Sequence, residues 1–565
     1  MESCGLDSKP AELKCRAEAI AATIDQYDRI LVHTQDLLLH DVWAAIPPDC
    51  HDVLLNMSFT ELAHLAQEPE GARDLPTSLA QLFQLRHLAL SRAPLSQAPC
   101  EALHDEERRM PTMGPRRPGS KPERRAKKRY EVEHMASVVQ ATATSMGCTR
   151  VLEVGCGMGI LAAELANQGA LDVIGLEAQA QLAAAAALPT REGAGSVRVW
   201  HHAIAPDKAA AGVLQDVCDQ AWPPLLSSSK LSPTAASHAP VLACALHACG
   251  DLSPTLLRAF VGAPSLRGLV LVPCCYNLLT GCREAQHHAL RCVRADDDDV
   301  VLCAATSPTT STFTQCACDG VMEDHVAHQR NEHPSAERSA RVPELAKSVA
   351  SVEGFPLSEA LQATGVHLSR NARMIACQRE AAGLPPVWVA DACAGRDGGI
   401  ASSQQQKEAP PRALVHDLHT CLFAALVRKH FADLVGSTLR VSTGGYRKHR
   451  HVGAAVGGEA FAAFAQAALA RAGLPASRLS SAELSNFATA EVGSDFTFAL
   501  KRLAVMAAMR ALLAPLIETL LLLDQLLFLH DHGVRCCAAV PVFDPSRSPR
   551  NMAILARMES EQRVV

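Results

Sequence analysis

Apolar and polar positions change rhythm along the chain, and each change predicts a different kind of element. Residues 11–100 carry apolar positions at helical spacing, separated by short polar breaks. Within them, "AAIPPDCHDVLLNMSFTELAHL" places helix-breaking prolines ahead of Ser58, which the spacing predicts as the cap of the following helix. From residue 150 short apolar runs take over: "RVLEVGCG", "DVIGLE", "VRVWHHAI", "APVLACALHACG" and "LRGLVLVPCC". Helical stretches separate these runs, the first being "MGILAAELANQG", which Gly169 is placed to terminate. Strands apolar on both faces and alternating with helices predict a parallel, doubly wound α/β sheet.

The pattern dissolves after residue 277, through the acidic run at 296–299, a Ser/Thr-rich stretch and a His-rich one. Residues 381–411 have linker composition. Helical spacing returns from about 412 to 530, and "VRCCAAVPVFDPSRSPRNMAILARM" then reads as strand, turn, strand. A hairpin there closes the far edge of the sheet. The expected organisation is a helical region at 1–110, a basic segment at 111–135, a sheet core at 136–290, a large insertion at 291–505, and a helix with the closing hairpin at 506–565.

Composition narrows this picture only in part. The chain has 565 residues, 48% of them hydrophobic and 20% charged, with a net charge of −6, so no global field favours nucleic acid. The exception is local: Arg116, Arg117, Lys121, Arg124, Arg125, Lys127, Lys128 and Arg129 are relieved only by Glu123. This run is either a solvated linker or import patch, or a phosphate-contacting arm beside an active site. The 21 cysteines are irregularly spaced, with no CxxC pair. With an N-terminus that lacks a secretory pattern, they point to reduced thiols in a cytoplasmic or nuclear protein. No metal is expected at the strand tips, and only Cys316 and Cys318 remain as spaced ligand candidates. The nineteen apolar residues 511–529 approach membrane-spanning length, but Glu518 and Asp524 interrupt them, so a buried helix rather than stable membrane insertion is expected.

Candidate chemistry gathers where strands end. "EVGCGMGI" sets Gly155, Gly157 and Gly159 between a strand and a helix, with Glu153 before them and Ile160 where a dinucleotide fingerprint needs glycine. Glycines there let a ligand approach the backbone, and Glu177, about twenty residues on, can accept both hydroxyls of a ribose. This arrangement resembles motif I and the ribose acid of class I S-adenosylmethionine-dependent methyltransferases. The fourth strand delivers His247, Cys249 and Asp251, and the fifth delivers Cys274, Cys275, Tyr276 and Asn277. His247 and Asp251 are candidates for orienting or removing an acceptor proton, with Tyr276 beside them. Asp251 equally suits the cap of the next helix. The cysteines read as nucleophile, ligands or pocket wall, and pocket wall is preferred because no cation is assured nearby.

"HACGDLSPTLLRAF" followed by "VPCCYNLL" resembles the methyltransferase-like protein twenty-five family, whose members are also labelled ribosomal RNA adenine dimethylase domain-containing proteins. The HxCG and CC pair also resembles that of a transfer-RNA 2′-O-methylating relative. "VWAAIPPDCHDVL", the basic segment, "FPLSEAL", "LSRNARMIACQ" and "FDPSRSPRNMAI" match further family stretches, so the resemblance covers most of the chain. It implies a class I methyltransferase using S-adenosyl-L-methionine, with RNA as partner through residues 116–129. It also implies a histidine at the position of Asn277. Adenine N6 is not the expected target, since "HACGDL" lacks the Asn-x-Pro-aromatic loop of adenine dimethylases. Two other expectations are a protein substrate and a cofactor-binding pseudoenzyme scaffold.

Overall fold

The computed structural model describes residues 9–32, 42–65, 75–92, 121–169, 171–186, 195–206, 209–223, 239–281, 301–303, 354–384, 386, 410–435, 440–442 and 455–559. Arg116, Arg117, Cys316, Cys318 and most of the linker at 381–411 lie outside them. The sheet strands are β1 (Arg150–Val154), β2 (Asp172–Glu177), β3 (Ser196–His201), β4 (Val241–Cys249), β5 (Leu266–Cys274), β6 (Cys536–Pro541) and β7 (Met552–Arg557). Their spatial order is β3-β2-β1-β4-β5-β7-β6. The first five run parallel, while β7 is antiparallel to both β5 and β6. The expected terminal hairpin therefore does close the far edge. The order reverses at β1, between β2 and β4, the point at which doubly wound sheets bind ligands beyond their strand tips.

Side chains alternate onto two apolar layers, as a pleated strand requires. Leu152, Ile174, Ala243, Leu269 and Ile554 face one layer, and Val151, Val173, Leu242, Val270 and Ala553 face the other. The longer helices include α1 (Pro10–Gln26), α2 (Lys121–Ser145), α3 (Ile160–Gln168), α4 (Ala210–Ala221), α5 (Leu252–Gly262), α6 (Arg412–His430) and α7 (Phe496–Asp531). Helices α2 and α3 cover one face, and α4, α5 and α7 contribute to the core on the other. Strand β3 departs from the expectation of two buried faces. It is the sheet edge, and no residue of it is fully buried.

The long apolar run belongs to α7, which begins at Phe496, so the expected division at 505/506 falls inside one helix. By length and composition α7 could cross a membrane, but its apolar window is wholly buried inside the protein. The two acids that interrupt the run explain why. Glu518 accepts from Arg92 Nη2 at 2.7 Å and from Tyr276 Oη at 3.1 Å, while Asp524 accepts from Leu357 N at 2.8 Å, Ser358 N at 2.9 Å and Ser358 Oγ at 2.8 Å. Buried carboxylates persist when partnered in this way. α1 and the segment after Gly354 pack on α7, so the helical N-terminal region shares the core of the sheet. The expected cap at Ser58 is present as a capping box, with Glu61 N donating to Ser58 Oγ at 3.0 Å and Ser58 N to Glu61 Oε2 at 2.6 Å.

Candidate active site

Gly155, Gly157 and Gly159 adopt φ of +74°, +57° and +69°, a left-handed conformation that suits glycine. Their turn is tied to β2: Gly155 N and Cys156 N both donate to Leu176 O, at 2.9 and 3.0 Å. Gly157 N then donates to Glu177 Oε2 at 2.8 Å, and Gln179 N to Glu177 Oε1 at 2.9 Å. Both carboxylate oxygens are thus fixed, yet each keeps a further lone pair for an incoming hydroxyl. A Cβ built on Gly157 meets nothing within 4 Å, so open space lies against this backbone.

Behind the turn sits Glu153, 3% exposed, with no partner for Oε2 among the described residues. Burial pushes its carboxyl up to about 8, against the Ala162 N–H and Lys128, which pull it down, and with Glu177, which adds to the rise. A buried carboxyl with an unmet oxygen, open space at Gly157 and a latched acid at the β2 tip together fit an adenosyl-sulfonium ligand. The glycine backbone and Glu177 would hold its nucleoside, and Glu153 would meet one of its donor or cationic groups.

Strand β4 carries one extra residue between Ala245 and Ala248 relative to β5, and in this bulge His247 takes φ +61°. A non-glycine residue held there marks a place where the surrounding structure fixes a side chain for use. His247 Nε2 lies 3.2 Å from Glu131 Oε2, and Ser548 Oγ donates to Glu131 Oε1 at 2.6 Å. Burial alone would lower the His247 pKa. Hydrogen bonds and charge from Cys274 and Glu131 outweigh it and raise the group to about 10. These contacts favour the imidazolium form of His247. Cys274 is drawn well below the usual thiol range by hydrogen bonds from Cys249 and Cys275, against burial, and by His247. The cation that the sequence did not assure is His247 itself.

Two further expected catalytic residues make contacts within the fold. Tyr276 is buried and donates to Glu518, on the α7 side of the sheet. Asp251 occupies the N-cap position of α5 but makes no side-chain cap bond; its Oδ1 accepts from Thr280 N at 2.8 Å and Thr280 Oγ1 at 3.3 Å, latching the segment after β5 to β4. Asn277 is buried too, and its Oδ1 accepts from Cys377 Sγ at 3.4 Å.

From Lys121 on, the basic run forms the first turns of α2. Arg125 and Lys128 are exposed there, Lys127 Nζ lies 3.8 Å from Glu131 Oε1, and Lys128 is close enough to act on Glu153. Of Arg124 only the helical backbone is described. Glu131 was missed by sequence reasoning. Its one signal is an acid at the end of a basic run, and nothing local pairs it with a histidine 116 residues on.

A seven-stranded, mostly parallel sheet with a glycine turn latched to an acid at its reversal point is the arrangement of a Rossmann-like methyltransferase fold. Residues 127–282 match a family model described as "Methyltransferase domain". Over 316 residues the chain is 24% identical to "Probable methyltransferase-like protein 25" of Mus musculus and of Homo sapiens. That stretch takes in 55% of this chain and about a third of those curated relatives, 36% of each. No solved structure matches the chain. These findings show a methyltransferase domain at residues 127–282 and a similarity to methyltransferase-like protein 25; they do not show the adenine dimethylase label that came with the resemblance.

Proposed function

We propose that this chain transfers the methyl group of S-adenosyl-L-methionine to a nucleophilic atom of RNA inside the cell. The observation that carries the cofactor is the Gly157 N–H to Glu177 latch beside open space. When bound, the cofactor supplies a methyl group activated on sulfur. Glycine backbone and Glu177 position it, and the tips of β4 and β5 line the acceptor side. His247, held by Glu131, orients acceptor polar atoms there. The RNA reading is supported by α2, whose exposed Arg125 and Lys128 lead along one helix to Glu131. The test is transfer of labelled methyl to fractionated cellular RNA and protein. Label in RNA is expected, and label in protein alone would contradict the substrate.

Phosphate contacts also predict a salt response. Binding to single-stranded RNA should weaken linearly on a log–log plot against salt. Changing Arg124, Arg125, Lys127 and Lys128 together to Ala should lower the slope by roughly 0.7 per lost contact. An unchanged slope would remove α2 from the interface.

Glu153 predicts proton linkage. In the ligand-free chain its pKa lies above the ordinary value of 4.5, so its favourable contribution is complete below that value and is lost as pH rises through about 8. A donor or cation arriving at Oε2 favours the ionised form. S-adenosylhomocysteine should therefore release a proton on binding at pH 7, and its affinity should rise toward pH 8. Calorimetry in buffers of different ionisation enthalpy reads this directly. Glu153→Gln should abolish the release while leaving a folded chain.

A further inference from the structure

We propose that Cys249, Cys274 and Cys275 form a zinc site at the tips of β4 and β5. Their three ligand sulfurs all lie within 4.8 Å of one another, and Cys274 and Cys275 Sγ are 3.5 Å apart. Tetrahedral Zn–S bonds of about 2.3 Å require sulfurs roughly 3.8 Å apart. The cluster thus needs only small side-chain adjustments to close on an ion.

The backbone explains how the thiols converge. Cys249 and Cys274 are register partners on adjacent parallel strands, and Gly250 N donates to Cys274 O at 3.1 Å. Side chains at paired positions point to the same face. The neighbouring Cys275 would point away if the strand continued, but its left-handed φ of +47° and ψ of +51° breaks that alternation. A residue other than glycine is uncommon in that conformation. Beside the cluster, His247 hydrogen-bonds Cys274 and is itself held by Glu131, outer-layer support of the kind that steadies a metal ligand.

The chemistry selects the metal. Three thiolates favour a thiophilic ion, and a site of three protein ligands leaves a fourth position open, as in catalytic zinc centres. The missing CxxC pairs gave no warning of this, because the ligands come from two strands and a strand-end turn rather than from one knuckle. The zinc reading is independent of which acceptor is methylated.

The test uses the full chain, expressed with zinc and dialysed, then assayed for metals by elemental mass spectrometry. About one zinc per chain is expected. Cys249→Ser and Cys274→Ser should lose it, and Cys15→Ser, at an exposed thiol, should keep it. Replacement by cobalt should give sulfur-to-cobalt charge-transfer absorption. Should the serine variants fail to fold, thiol alkylation of the unaltered chain decides: Cys249, Cys274 and Cys275 should be protected together and become reactive together when a chelator is added. Absence of metal with all three thiols freely alkylated would overturn the site. So would a Cys274–Cys275 disulfide, or copper or iron in place of zinc. Loss of cofactor binding with retained zinc would leave this inference standing and strike only the methyltransferase mechanism.

Discussion

Glu518→Ala is expected to destabilise the protein by about 3–5 kcal/mol, enough to unfold much of it near physiological temperature. Glu518 is 1% exposed at the middle of α7 and is the shared anion for three groups. Arg92 Nη2 lies at 2.7 Å and Tyr276 Oη at 3.1 Å, with Arg550 Nη1 at 3.9 Å. The Arg92 and Arg550 side chains are only 10% and 12% exposed, so removing the carboxylate strands two guanidinium charges away from water. The three partners come from the N-terminal region, the segment after β5 and the turn between β6 and β7, so their connection to α7 is lost at once. Glu518→Gln keeps an acceptor for Tyr276 but not the charge, and should cost less. Chemical denaturation checks both. A loss below about 1 kcal/mol for the alanine variant would show that the network is not structurally important.

Gly157→Arg should leave the fold nearly intact and reduce cofactor affinity by a hundredfold or more. A Cβ at this position touches nothing within 4 Å, so the new side chain enters open space rather than the core. The left-handed φ of +57° costs on the order of 1 kcal/mol for a residue with a Cβ. The space it fills is the one proposed for the nucleoside. Equilibrium dialysis with labelled cofactor measures the loss, and a melting curve confirms the fold. Gly175→Ala is the contrast, because its Cβ would come within 2.8 Å of Cys156 Sγ and should unsettle the strand instead. Undiminished binding by Gly157→Arg would place the cofactor elsewhere.

The strands at 150, 172, 241 and 266 were legible because buried parallel strands write themselves as short apolar runs, and the terminal hairpin because its two runs flank a Pro/Ser-rich turn. The glycine turn and its neighbouring acid were legible because the backbone geometry there depends on residue type at fixed spacing. What sequence did not disclose is which way side chains at the strand tips point. Tyr276 and Cys274 are two residues apart, yet Tyr276 reaches Glu518 while Cys274 joins His247, because the left-handed Cys275 between them redirects the chain. The β4 bulge that turns His247 toward Glu131 likewise has no local signature in "ALHACG". Glu518 and Asp524 were read only as obstacles to a membrane span. Their real partners are residues far away in sequence, Tyr276 and Ser358, beyond the reach of any periodicity argument.

Isothermal titration of the full chain with S-adenosylhomocysteine, repeated with Glu177→Gln, tests the centre of this account. One saturable site is predicted, with affinity at least about tenfold weaker in the variant, since a hydrogen bond to a charged group contributes about 1.5–3 kcal/mol. No heat of binding by the unaltered chain, or equal affinity in both proteins, would contradict it.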